Sequence, residues 1–197
     1  MNLPQPVLSF AANAALRMPP AVKPIVHGVL ALAGMRWATR FMDYVIDFER
    51  AYITDDWSRV AEYFAPDAIY EVRHADFDCR LEGREAVLAG FRRILDRFDR
   101  QLHRDLRVVK GPYELPAGET DDGGLTFLWK GSYSRPAIHP AAADTPPVRL
   151  SARQSARYRD GLIVWLADEY RDGTGYTVDA WIEAHAPELS ARYEEGT

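Results

Sequence analysis

Cysteine is almost missing from this chain: Cys79 is the only one in 197 residues. An internal disulfide and a cysteine-cluster zinc site are thereby excluded, and the usage suits a reducing cytoplasm. Basic tracts are missing as well. No run of Lys or Arg exceeds "RR", Arg is spread along the chain, and the net charge is −5. Nucleic acid is therefore not an expected partner, and net charge speaks against an anionic membrane. Unbroken apolar runs are short. Pro4, Pro6, Pro19, Pro20 and Pro24 interrupt the N-terminal region, and the uncharged run after Lys23 ends at Arg36. That is short of the ~20 residues a membrane span needs. No basic residue precedes Arg17, so a secretory leader would lack its charged start. His74, Asp76 and Asp78 are close together, but their spacing suits no well-defined metal site. No metal or cofactor is expected.

What is present is apolar and aromatic. Apolar residues make up 47% and aromatics 12%, enough for one buried core and a hint of an aromatic-lined pocket. Residues 1–36 read as an apolar, proline-interrupted helical extension, with a short amphipathic helix over 8–18 and a second helical stretch over 24–35. Packing on the domain or on a partner copy is favoured there over a membrane surface. From Met35 to Tyr52, Trp37, Phe41, Tyr44, Val45, Phe48 and Tyr52 recur at three and four, which is one helical face. Thr54 or Asp55 is expected to cap a helix over 56–64 that stops before Pro66. Strands are expected at 68–74 and 78–82, then a helix over "REAVLAGFRRILDRF".

After residue 102 the period becomes two. "HRDLRVVKGPYEL", "LTFLWKGSYS" and the pair "VRLSARQSARYR" and "LIVWLADEYRD" read as four long antiparallel strands, the last two joined by Asp160-Gly161. "TVDAWIEAHAPEL" closes with a helix capped near Thr177 or Asp179. Helices first and strands later indicate an α+β fold with a curved, mostly antiparallel sheet wrapped around three helices as a cone.

The run "FMDYVIDFERAYITDDWSRVAEYFAPDAIYEV…LEGREAVLAGF", with "DGLIVWLADEY", resembles the nuclear transport factor 2-like superfamily over about residues 37–186. That group includes ketosteroid isomerase, scytalone dehydratase, the SnoaL-like polyketide cyclases and limonene epoxide hydrolase. The resemblance implies a cone domain over 37–197. Against the hydrolase, Tyr70 falls on its Tyr and Asp168 on one of its Asp residues. The Asn position is Val72, and the Arg-x-Asp falls on Lys130-Gly131-Ser132. Against the isomerase, the base falls on Val72 and the oxyanion Tyr on Phe48. Against the dehydratases, His103 falls on the catalytic His and Tyr52 on a Tyr.

The candidate catalytic groups are therefore Asp168, His103 and Tyr70. Asp168 lies between Leu166 and Tyr170 on the inward parity, where an acid must be paired or used. Tyr52, Phe48, Val72, His74, Trp129, Lys130, Ser132 and Tyr170 are the candidate ligand contacts. His27, His139 and His185 read as surface or packing residues. The expected function is cofactor-free general acid–base catalysis, of hydrolase, lyase or isomerase type, on a small and mostly apolar molecule in the cone. The rival reading is a ligand-binding or dimerisation module of the same fold. A homodimer through the outer sheet face is expected, because Trp165 lies on the parity opposite Asp168.

Overall fold

The computed structural model describes residues 23–32, 34–73, 78–171 and 178–194. Expectations for residues 1–22, the 8–18 helix among them, lie outside that set, as do His74 and Thr177. The elements run α1 (Lys23–Leu32), α2 (Arg36–Thr54), α3 (Ser58–Ala61), β1 (Phe64–Arg73), β2 (Cys79–Glu82) and α4 (Arg84–Arg97). A 3-10 turn (Asp99–Gln101) leads into β3 (His103–Leu115), β4 (Gly123–Ser134), β5 (Val148–Arg159), β6 (Leu162–Tyr170) and α5 (Val178–His185).

The six strands form one sheet in the order β2-β1-β6-β5-β4-β3. Among the described residues only the β1–β6 pairing is parallel. The fold is thus the expected α+β cone with a mostly antiparallel sheet. The β5–β6 hairpin turns at Asp160 (φ 54) and Gly161 (φ 77). Two successive positive φ values are what a tight hairpin of this hand requires, and Asp-Gly tolerates them.

Two boundaries differ from the sequence reading. The helix expected over 56–64 is only four residues long, and β1 begins at Phe64, ahead of Pro66. Pro66 is accommodated because the register against β6 shifts between Phe64 and Ile69, so its missing N–H breaks no regular ladder. Asp55 does not open α3. It ends α2 in the left-handed region (φ 59), with its N–H on the Ala51 carbonyl at 2.8 Å. Asp56 instead accepts the Ser58 N–H at 3.1 Å. The start of α2 is satisfied from afar: Glu114 on β3 accepts the N–H groups of Trp37 and Ala38 at 3.3 and 2.9 Å.

Trp37, Phe41 and Tyr44 of α2, with Phe91 and Leu95 of α4, pack against the inner sheet face. Trp37 stacks on Tyr158 with ring centroids 4.6 Å apart. Each such fully buried side chain contributes roughly 1.5–3 kcal/mol. On the outer face, Glu71 is buried among donors: Trp165 Nε1 at 3.0 Å, Arg73 at 2.7 Å, and Arg80. Burial alone would raise its carboxyl, but Trp165, Arg80 and Arg73 outweigh it and hold the group below the usual range. Among the described residues no helix is long and apolar enough to cross a membrane.

Candidate active site

The interior of the cone holds a cavity of about 290 Å³, lined by α2, α4 and the inner face of β3–β6. That is roughly ten water molecules' share of liquid volume. Phe41, Tyr44, Phe48, Phe91, Leu125 and Phe127 give it an apolar wall. Polar groups reach it at two places.

Asp168 stands at the first. It is on β6 beside Val72 of β1 and opposite Gln154 of β5, so strand pairing brings donors to it from both sides. Tyr70 donates its hydroxyl to Oδ2 at 2.9 Å. Gln154 Nε2 donates to Oδ1 at 2.9 Å and to Oδ2 at 3.1 Å. The Trp129 indole is a third donor. All three donors are neutral. Burial raises the Asp168 carboxyl to about 6, and these hydrogen bonds pull back against it.

Tyr70 is also hydrogen-bonded to Tyr193, and Tyr193 to Tyr170. A phenol has one proton, and that of Tyr70 is given to Asp168. Tyr193 and Tyr170 continue the row of phenols beyond Tyr70, and all three line the cavity.

The second place is centred on Arg104 of β3, which faces Tyr133 of β4 in the ladder. Arg104 Nη2 pairs with Glu49 of α2, and Nη1 lies 3.7 Å from Asp99 Oδ2. Its guanidinium lies 4.0 Å over the Tyr52 ring, and the Tyr52 hydroxyl donates to the Asp99 carbonyl at 3.3 Å. Burial raises the Asp99 carboxyl to about 6, against the opposing effects of Arg104 and a hydrogen bond from Tyr133. Gln154 pairs with Phe127, so the Asp168 row and the Tyr133 row are six residues apart on β4. At about 3.4 Å per residue that is roughly 20 Å of backbone. The two carboxyls do not form a dyad: neither is a cause of the other's shift.

The SnoaL-like domain family matches residues 45–166, more than half of the chain and the span from α2 to β6. The chain belongs to that family. No curated protein sequence matches the chain. Among solved structures, this SnoaL-like chain is similar to Bal32a from a soil-derived mobile gene cassette, at 17% identity and a TM-score of 0.48, covering 75% of this chain and 98% of that one. It is also similar to a nuclear transport factor 2-like protein from Anabaena variabilis, at 12% and 0.48, covering 70% and 91%. A steroid delta-isomerase from Pseudomonas aeruginosa follows at 15% and 0.43, covering 73% and 87%.

Within this SnoaL-like cone, Asp168, Tyr70, Trp129, Tyr170 and Phe48 of the sequence candidates line the cavity. Other candidates do not. His103 and Lys130 are exposed, and neither lines the cavity. The cause is strand parity. His103 alternates with the inward-facing Arg104, and Lys130 and Ser132 alternate with Trp129 and Tyr133. Lys130 is therefore no charge partner for Asp168. Val72 is buried in the sheet beside Asp168 and is not part of the cavity wall. Tyr52 is turned to Arg104. The sequence reading missed Gln154 as a donor and the Glu49–Arg104–Asp99 group. Arg104 carried a usable signal, since it shares the parity of Leu106 and Val108. Asp99, in a turn with no period, carried none.

Proposed function

We propose that the cavity is the active site of an acid–base enzyme of hydrolase, lyase or isomerase type, acting on a small, neutral and mostly apolar molecule. The observation that carries this reading is the contrast between two buried acids of one sheet. Glu71 is ion-paired and lowered, whereas among the described residues Asp168 has only neutral donors and is raised to about 6. An unpaired carboxylate is costly to bury, and a packing role does not require one. A carboxyl near 6 is matched to accepting a proton near neutral pH.

In this reading Asp168 takes a proton from the substrate or from a water molecule. The phenol of Tyr70 and the amide of Gln154 hold the carboxylate in place. The Asp168 carboxylic acid so formed returns the proton to the product. Arg104 and the Asp99 carboxyl offer positive charge and a proton to an oxygen at the other end of the ligand. The chemistry is supplied by side chains alone.

The test is a panel of apolar epoxides, enolisable ketones and β-hydroxy ketones, followed by product analysis. Turnover of one class, with a rate that rises through about pH 6, is the expected result. Ligands that occupy the cavity without conversion of any class would replace this reading with the binding module.

A further inference from the structure

Among the described residues six large apolar side chains are exposed, and three of them, Ile25, Val29 and Leu32, belong to α1. They are 66%, 36% and 88% exposed and stand four and three residues apart, so one face of this ten-residue helix is apolar and turned to solvent. The other three, Ile53, Tyr113 and Ile138, are scattered over the molecule. A second face of α1 is fixed to the domain. Leu30 is buried and lines the cavity, and His27 Nε2 lies 3.0 Å from Asp43 Oδ1.

Charge is distributed unevenly in the same direction. Residues 1–42 hold Arg17, Lys23, Arg36 and Arg40 and not one Asp or Glu. Residues 43–197 hold the other 20 basic residues and all 29 acidic ones. The nearby acids are already engaged: Asp43 faces His27, and Glu114 holds the Trp37 and Ala38 N–H groups. Arg36 is exposed, with its guanidinium 4.3 Å over the Trp37 ring.

We propose that α1 is a membrane-surface helix: Ile25, Val29 and Leu32 enter the interface of an anionic bilayer, and the exposed Arg36 just beyond its C-terminal end, in a sequence with no acid before Asp43, supplies the attraction. At about 1.5 Å per residue, ten residues are too short to span the hydrocarbon core, so the helix lies on the surface. The net charge of −5 hides this polarity, which is why the whole-chain balance speaks against a membrane and the local balance speaks for one. Because Leu30 of the same helix is part of the cavity wall, docking sets that wall against a reservoir of apolar molecules. The inference does not depend on turnover at Asp168.

The experiment is co-sedimentation of the full chain with vesicles of phosphatidylcholine alone, and of phosphatidylcholine with about 30% phosphatidylglycerol. Binding to the anionic vesicles is expected, weakening as salt rises. Ile25→Glu with Leu32→Glu should reduce the bound fraction about tenfold or more. Ile138→Glu, a change at a still more exposed apolar residue elsewhere, should leave it unaltered. Leu32→Glu alone, at the more exposed site, guards against a folding defect in the double variant, and melting temperatures check both. The proposal is overturned if the wild type binds neither vesicle, or if the α1 variants bind as well as the wild type. It is also overturned if light scattering shows a dimer that the α1 variants dissociate, which would make a second copy the occupant of this face.

Discussion

The Tyr70 hydroxyl donates to Asp168 Oδ2 at 2.9 Å between the neighbouring parallel strands β1 and β6. Tyr70 pairs with Leu166, one inward position before Asp168, so the phenol reaches along its own face to the carboxylate. The contact ties the two strands at the cavity and fixes the orientation of the acid. Among the described residues no cation pairs with that acid, and the pH behaviour of the protein should follow from this.

Asp168 and Asp99 stand at about 6, against an ordinary 3.8. Each binds its proton more tightly in the folded chain than in the unfolded one. The stability each contributes is full below pH 3.8 and is lost as pH rises through about 6. A shift of about two units corresponds to ~3 kcal/mol per group. Urea denaturation across this window should show a smaller fall for Asp168→Asn than for the wild type. Parallel curves would mean that the carboxyl is not raised.

The fold was legible because periods and punctuation agreed from α2 to β6. Apolar spacing marked α2 and α4, alternation marked the long strands, and Asp160-Gly161 marked the hairpin. The Tyr70–Asp168 half of the site was legible through parity, since both residues sit among inward apolar neighbours. The rest was not, for physical reasons. His103, Lys130 and Ser132 have fitting chemistry and a fitting place in the resemblance, but parity turns all three away from the cavity. Asp99 acts from an aperiodic turn. Tyr193 reaches Tyr70 only because the segment after α5 folds back over α4, a long-range event with no local signature.

Arg104 sits between Glu49 and Asp99 with its side chain 14% exposed. Replacing it with Met strands a buried Asp99 carboxyl and should lower stability by about 3 kcal/mol. Asp99→Asn in the same chain should restore part of that loss. A double-mutant cycle by chemical denaturation measures the coupling. Purely additive losses would show that the two side chains do not interact.

Tyr193 is buried, with its ring 5.3 Å from that of Tyr70, and Arg93 holds its carbonyl. Tyr193→Ala should cost about 3 kcal/mol by opening a cavity. Tyr193→Phe keeps the ring and should cost about 1 kcal/mol. Calorimetric melting of the two variants separates packing from the hydrogen bond, and equal losses would contradict this division.

Burial pushes the Cys79 thiol up to about 12 from an ordinary 9.0. Its thiolate fraction at pH 8 should be about a thousandfold below that of an unperturbed thiol. Iodoacetamide should therefore label the folded chain far more slowly than the urea-unfolded one. Similar rates in both states would show that the group is not shielded.

The most direct measurement is the turnover of wild type and Asp168→Asn on whichever compound of the panel is converted, taken per folded molecule and across pH. Asn keeps the shape of the side chain but cannot take a proton. The expected result is a loss of about 10²- to 10⁴-fold in rate, with the wild-type rate falling below about pH 6 as the carboxyl protonates. Full activity of Asp168→Asn, with the same acid limb as the wild type, would contradict the assignment of Asp168 as the proton acceptor.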